Sequence, residues 1–321
     1  MTNSPASDVV LSAETRALVD SAVAAVAGSR LLVGSGDKFE VDRAAVEAMR
    51  ASLIESGFDG IVVIGEGEKD EAPMLFVGER FGSSAIPKWN IAVDPIDGTA
   101  LAAAGVPGAV SVIAVSEHGQ MAIAPQVFYM QKLVTSAAGR AVVDLDFCAG
   151  DNIRLLANAL GKSISDIRVA VIDKPRNADL IAEVVAAGAQ WARFAEGDVA
   201  QAVVAASKGT EVDILLGVGG NPEGVASAVA VQVLGGFMQG RLAPQTEAER
   251  ESALLAGLDL ERKFELHELV GGSRHIFVMA GVTDGPLTRA FVERNGMLHV
   301  EVLVLDNAIG EPLVLTEVVE L

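Results

Sequence analysis

In this 321-residue chain, carboxylates gather where apolar runs end, so the candidate chemistry lies at those ends. Five places stand out: Asp42 at a predicted helix start, Glu66 and Glu68 in "IGEGEKDEAP", Asp94 and Asp97 in "IAVDPIDGTALAAAG", Asp198 in "AEGDVA" and Glu223 in "GVGGNPEG". Ligands of open α/β sheets collect at the carboxyl ends of strands, so acids placed there are candidate ligands. Hard divalent cations take oxygen ligands, and Mg²⁺ is commonly shared between a few carboxylates and a substrate phosphate. Two such ions about 3.5–4 Å apart can bind both the attacking and the leaving oxygen in phosphoryl transfer. One continuous strand cannot point Asp94 and Asp97 the same way, so a turn at Pro95 is expected to converge them.

Each piece taken alone has a plainer reading. "DPIDG" fits an ordinary Asp/Pro/Gly turn, Asp42 and Glu223 fit favourable partners of a helix N-terminus, and "GEGEKDE" fits a solvated acidic loop. The glycines of "GVGGNPEG" fail the dinucleotide fingerprint, because G-x-G-x-x-G needs glycine at 222 and finds Pro222. A G-x-x-x-x-G-K-[ST] phosphate loop is absent, and His118, His267, His275 and His299 show no zinc spacing.

The elements that must position these acids follow from periodicity. Residues 9–27 show helical spacing up to Gly28, and a second amphipathic helix is predicted from about Asp42 to Ser56. "GIVVIG", "WNIAV" and "AVSVIAV" read as strands. Beyond residue 150, "IRVAVI" and "VDILLGV" read as strands, alternating with helices in "NADLIAEVVAAG", "VAQAVVAAS" and "NPEGVASAVAVQVLGG". In the last of these Asn221 fits an N-cap, Pro222 the first turn and Gly235 the stop. The polar stretch near 243–263 reads as a surface excursion, and "HIFVMAGVTDG" and "LHVEVLVLDN" as strands. The expected fold is an α/β layered one in two subdomains, 1–150 binding metal and 151–321 binding substrate.

Composition narrows the partners. A formal net charge of −19 argues against nucleic acid and anionic membranes, both of which need a positive field. The uncharged run 98–116 is interrupted by Gly105, Pro107 and Gly108, so it is not a membrane span. The N-terminus lacks a secretion signal, and the single Cys148 is expected to be a buried thiol in a reducing, cytoplasmic setting.

Together the motifs do more than each alone. "DPIDGT" resembles the signature of the lithium-sensitive, magnesium-dependent sugar and inositol phosphatases. Within that superfamily the chain resembles the class II, GlpX-type fructose-1,6-bisphosphatases over nearly its whole length. The matching blocks occur in order: "GSGDK", "VDRAAVEAMR", "IGEGEKDEAPMLFVGE", "IAVDPIDGT", "YMQKL", "DKPRNADLIAE", "EGDVA" and "GVGGNPEGVASA". The resemblance implies the layered sugar-phosphatase fold and a phosphomonoesterase that uses Mg²⁺ or Mn²⁺. It implies metal ligands at Asp42, Glu66, Asp94, Asp97 and Glu223, with the Ile96 carbonyl as a further donor. Asp70 and Thr99 match the pair that deprotonates and orients the attacking water, and a nearby carboxylate can take a proton from water whose pKa a cation has lowered. At the start of "ALAAA", the helix-type N–H groups of Gly98 and Thr99 can bind a phosphate oxygen. Lys38 matches a lysine that approaches the phosphate, while Tyr129, Lys174, Arg176 and Asp198 match sugar- and phosphate-binding positions. These cations and the metals would make a positive pocket in an otherwise negative protein.

The implied substrate is a small sugar phosphate, first fructose 1,6-bisphosphate and then sedoheptulose 1,7-bisphosphate, and the implied assembly is a homo-oligomer. Four departures remove positive charge: Ala100 and Ser35 stand where the family carries arginine, Asn177 where histidine is common, and the tail 307–321 lacks the usual basic segment. Phosphates are typically paired with Arg or Lys. The departures therefore keep open the same chemistry on a monophosphorylated sugar, heptose or cyclitol. Further off stands an inactive sugar-phosphate-binding relative, against which the retained Asp70, Thr99 and acids argue.

Overall fold

The computed structural model describes residues 10–67 and 74–321. The chain forms two compact units: the first runs to Ala114 and resumes at Ile276, and the second is Val115–His275. The division thus falls well before residue 150, and the C-terminal strands return to the first unit.

The first unit opens with α1 (Ala13–Ser29), whose first turn is closed by Ser12 accepting the Thr15 N–H. Helix α2 (Lys38–Glu55) starts behind Asp37, whose carboxylate accepts the N–H groups of Phe39 and Glu40. Asp42 therefore lies a turn inside the helix, not at its start, and a dipole role does not account for it. The two helices pack closely at Gly28, where a Cβ would lie 2.7 Å from Ala48 Cβ and 2.8 Å from the Ala44 carbonyl oxygen. There follow β1 (Gly60–Ile64), β2 (Arg80–Phe81), β3 (Trp89–Asp97), α3 (Thr99–Ala104) and β4 (Val110–Glu117). Strands β1 and β3 are parallel, with Gly60 opposite Trp89 and Ile64 opposite Ala92.

The expected turn at Pro95 is not there. Strand β3 runs straight through it to Asp97, and the chain turns at Gly98, whose φ is +86°. The β1 ladder ends at Ala92, so on that side Pro95 sits where its missing N–H breaks no pairing.

The second unit continues with β5 (Tyr129–Thr135), α4 (Ala149–Leu160), β6 (Arg168–Ile172), α5 (Ala178–Ala186), β7 (Gln190–Phe194) and α6 (Asp198–Ala206). It is completed by β8 (Ile214–Gly220), α7 (Asn221–Leu234), β9 (Phe237–Leu242), α8 (Glu247–Leu255), β10 (Phe264–Glu265) and α9 (Leu266–Leu269). The sheet order is β10-β9-β5-β8-β6-β7. Strands β6, β7 and β8 are parallel, as the strand–helix alternation predicts, whereas β5 is antiparallel to β8 and β9. Leu133, Ile153, Leu156, Val169 and Val184 share the core where α4 and α5 cover this sheet.

Three local expectations change. The N-cap of α7 is Gly220; Asn221 is its first helical residue and donates its amide to the Ala124 and Val127 carbonyls. The polar stretch near 243–263 contains α8, started by a capping box between Thr246 and Glu249. Cys148 is exposed rather than buried.

The chain then returns as β11 (His275–Gly281), β12 (Val292–Arg294), β13 (Met297–Asp306) and β14 (Leu313–Glu320). These complete the sheet of order β12-β13-β11-β4-β3-β1-β2, with β14 alongside β13. The Thr15 hydroxyl donates to the Asp306 carboxylate at 2.6 Å and ties α1 to the end of β13. Among the described residues, no helix is long and apolar enough to cross a membrane.

Candidate active site

In the first unit Asp42, from α2, meets Glu66, just past β1, and their carboxyl groups are hydrogen-bonded to each other. Burial raises both; the hydrogen bond from Glu66 partly offsets this at Asp42. At Glu66 burial and the neighbouring Asp42 charge act together and push the carboxyl up to about 7. Two carboxyl groups pressed together in this way share a proton or wait for a cation.

The backbone around Glu66 is built to hold it there. The Glu66 N–H donates to the Leu75 carbonyl at 3.1 Å, and the Val77 N–H to the Gly67 carbonyl at 2.9 Å. Buried Leu75 has a φ of +51°, uncommon for a side chain of its kind. Its N–H donates to Glu79, whose other carboxylate oxygen accepts from Arg50 Nε on α2 at 2.7 Å. Gly65 is needed for this loop, since a Cβ there would fall 2.0 Å from the Leu75 carbonyl oxygen.

Farther along, Asp94 is half-buried and Asp97 buried at the end of β3. The Thr99 hydroxyl donates to the Ile96 carbonyl at 3.0 Å, which leaves that oxygen a second lone pair for another partner. Gly98 caps α3 in the left-handed region, as a tight strand-to-helix turn requires. Lys38 is the first residue of α2 and is exposed, its ammonium 5.1 Å from the centre of the Phe39 ring. Asp70 and Glu68 lie outside the described residues. Among the described residues, no three Asp, Glu, His or Cys side chains close into a metal-binding cluster. The Asp42–Glu66 pair fits a hard divalent cation nonetheless: both donors are oxygens, and added positive charge would relieve their mutual repulsion.

The second unit assembles a different cluster. Lys132 on β5 is only 2% exposed; its ammonium donates to the Asp198 carboxylate and, at 2.9 Å, to the Gly220 carbonyl. Asp198 opens α6 behind Gly197. Glu223 lies in the first turn of α7, and its Oε2 is shut away from solvent with no hydrogen-bond partner among the described residues. Burial raises the Glu223 carboxyl; the Lys132 charge opposes this and that of Asp198 adds to it.

The glycines preceding α7 make room for these groups. A Cβ on Gly219 would sit 2.0 Å from Asp198 Oδ2, and one on Gly220 1.7 Å from Glu223 Oε2. Nearby, the Arg176 guanidinium lies 4.6 Å from the centre of the Tyr129 ring and uses its Nε to hold the Val218 carbonyl at 2.8 Å. Asn177 grips the same residue from both sides, accepting the Val218 N–H and donating to its carbonyl. Lys174 stands half-buried just before the short turn Pro175–Asn177.

The predicted residues therefore sort into an acid pair, Asp42 with Glu66, a strand-end group, Asp94 to Thr99, and a second-unit group containing Tyr129, Arg176, Asp198 and Glu223. Lys132 was missed as a site residue, although a lysine inside the apolar strand "YMQKLV" was a legible signal.

The profile of the family described as bacterial fructose-1,6-bisphosphatase, glpX-encoded, matches residues 13–314. A Synechococcus protein named D-fructose 1,6-bisphosphatase class 2/sedoheptulose 1,7-bisphosphatase is 42% identical over 278 residues, 82% of this chain and 83% of its own length. A protein of the same name from Synechococcus elongatus is 37% identical over 309 residues, 88% of this chain and 89% of its own. Among solved structures, the extragenic suppressor protein suhB of Bartonella henselae overlaps 60% of this chain and 71% of its own at 16% identity, with a TM-score of 0.34. An extragenic suppressor from Pyrococcus furiosus overlaps 32% of this chain and 39% of its own at 18% identity, with a TM-score of 0.23. The match of the family profile and of these two relatives across most of the sequence means that the chain belongs to the bacterial, glpX-encoded fructose-1,6-bisphosphatase family of metal-dependent phosphoric monoester hydrolases.

Proposed function

We propose that this protein hydrolyses fructose 1,6-bisphosphate to fructose 6-phosphate and acts on sedoheptulose 1,7-bisphosphate as well, with Mg²⁺ or Mn²⁺ as cofactor. The observation that carries the metal part is the Asp42–Glu66 pair, in which burial and a like charge hold Glu66 near neutral pH. The names of the relatives at 42% and 37% identity support the substrate. Asp42, Glu66, Asp94, Asp97 and the Ile96 carbonyl are the proposed metal donors, with Glu223 as a further acid of the set. When bound, the divalent cations supply Lewis acidity toward the phosphoryl oxygens and make water easier to deprotonate.

The chain's own groups do the rest. Asp70 accepts the proton of the attacking water, and the Thr99 hydroxyl, anchored on Ile96, orients that water. The backbone N–H groups of Gly98 and Thr99 and the Lys38 ammonium take phosphoryl oxygens. Arg176, held by Tyr129 and Val218, presents its remaining guanidinium N–H groups to the substrate together with Lys174, and Asp198 accepts from a sugar hydroxyl. A cytoplasmic setting and a homo-oligomer belong to the same reading, and a solution mass above that of one chain tests the second.

A second reading, hydrolysis of a monophosphorylated sugar, heptose or cyclitol, is favoured by one observation: Ala100, exposed on α3, offers no cation where the family pattern has arginine. Phosphate release from the two bisphosphates and a panel of monophosphates, with Mg²⁺ or Mn²⁺ and a lithium control, separates the two. Release from monophosphates alone overturns the bisphosphate reading, and release from none overturns both.

A further inference from the structure

The second unit buries three charges within one cluster: Lys132 at 2% exposure, Asp198 at 8%, and the enclosed Oε2 of Glu223. One positive charge cannot neutralise two carboxylates, and the hydrogen bonds show which of them it contacts. The Lys132 ammonium contacts Asp198 and the Gly220 carbonyl, while Glu223 Oε2 has no hydrogen-bond partner among the described residues. The same ammonium would lie 2.9 Å from a Cβ on Gly219, and 3.8 Å from one on Gly224. The lysine thus occupies the space among the start of α6, the end of β8 and the first turn of α7. A buried ion pair holds its members only when geometry and further hydrogen bonds compensate for lost hydration, and the Gly220 carbonyl supplies one such bond.

The geometry points to Lys132 as a positioning residue that assigns the two neighbouring acids different tasks. By neutralising Asp198 it keeps that carboxylate away from divalent cations and fixed for the sugar, and it leaves Glu223 as the open acid of the cluster. This rests on the function proposed above for the sugar and metal assignments. It also makes an unusual demand on a variant. A lysine with a purely structural role would, on removal, loosen the cluster and weaken cation binding. A lysine that reserves Asp198 would, on removal, release a second carboxylate beside Glu223 and strengthen it.

The test uses the full chain freed of metal and titrated with Mn²⁺ alone by calorimetry, alongside steady-state kinetics on the bisphosphate. Lys132→Met, close in length and apolar, is expected to bind Mn²⁺ about fivefold more tightly and to raise KM at least about tenfold, as the loss of a charged hydrogen-bonding partner of Asp198 implies. Asp198→Asn in the wild-type background should raise KM while leaving Mn²⁺ affinity unchanged. Lys132→Met with Asp198→Asn should return Mn²⁺ affinity to the wild-type value without restoring KM. If Lys132→Met does not fold, Asp198→Asn still decides, because a change in its Mn²⁺ affinity would show that Asp198 was never reserved. Unchanged or weaker Mn²⁺ binding by folded Lys132→Met overturns the proposal. A wild-type protein that binds Mn²⁺ but hydrolyses no sugar phosphate fails the functional reading alone, and the Mn²⁺ comparison still stands.

Discussion

In the first unit, Asp42 and Glu66 face each other, and what presses on them, burial and mutual repulsion, raises Glu66 to about 7. In the second unit, Asp198 is matched by Lys132, and Glu223 is the acid left over. Both clusters contain paired acids, yet one is left frustrated and the other mostly compensated. Two ionised carboxylates pressed together repel, so the first arrangement is relieved either by a shared proton or by the cation proposed above. The second stabilises itself except at one oxygen. The contrast separates acids that face only each other from an acid already matched by a buried cation.

The largest expected effect comes from removing a strand-end acid. Asp94→Asn keeps size and hydrogen-bonding capacity but removes the charge that the proposed metal site needs. Turnover should fall by about a thousandfold or more, on the order of 4 kcal/mol of transition-state stabilisation. Thermal stability of the metal-free protein should change little. Wild-type turnover in Asp94→Asn would place the metal centre elsewhere.

Next is an acid that belongs to the architecture. Glu79 is buried, bonds the Leu75 N–H and pairs with Arg50, and through Leu75 it shapes the loop that carries Glu66. Glu79→Ala strands a buried N–H and an arginine at once, and denaturant unfolding should show a loss of about 3 kcal/mol. In this respect Glu79 should behave oppositely to Glu66. Glu66→Gln removes a repulsion, so the metal-free protein should become more stable as it loses activity. A destabilised Glu66→Gln would count against the frustrated-pair reading.

The same pair sets a pH dependence. An acid raised in the folded state stabilises the fold fully below its unfolded pKa, and that contribution is lost as pH rises through the folded value. For Glu66 the window runs from an ordinary 4.5 to about 7, worth about 3 kcal/mol across it. The melting temperature of the metal-free protein should therefore fall between these limits, and saturating Mg²⁺ or Mn²⁺ should flatten the fall. Glu66→Gln should make it shallower without metal, the remainder coming from buried Asp42.

Much of this was legible in the sequence because it rests on local chemistry. Helical spacing and terminal glycines located the main helices, and apolar runs located the strands; Gly235, with a φ of +63°, does end α7. Among the candidate acids, Asp97 ends β3, Asp198 opens α6 and Glu223 lies in the first turn of α7, whereas Asp42 lies a turn inside α2. What failed was non-local. Nothing in "DPIDG" reveals that the β1 ladder stops at Ala92, and that is why the strand passes through Pro95. Nothing near residue 150 reveals that residues 276–321 rejoin the first unit, since that return is made by strand pairing far apart in sequence. Lys132 stands inside the strand "YMQKLV", but its partners Asp198, 66 residues away, and Gly220 meet it only in the fold. Asp37, directly before Lys38, is an N-cap signal in its own right and marks the start of α2.

That cap gives the smallest effect and the finest comparison between the two units. Asp37 holds the first turn of α2, which presents Lys38 and leads to Asp42, whereas Thr246 holds the first turn of α8, which carries none of the proposed site residues. Each cap accepts backbone N–H groups, so Asp37→Ala and Thr246→Ala should each cost about 1 kcal/mol of stability. Their kinetic consequences should differ. Fraying at α2 loosens Lys38 and should raise KM about two- to threefold with kcat nearly unchanged, since the phosphate contact weakens while the acids stay in place. Fraying at α8 should leave both constants unchanged. Equal kinetic effects from the two variants would mean that KM follows global stability rather than the placement of Lys38, and the lysine would lose its proposed role at the phosphate.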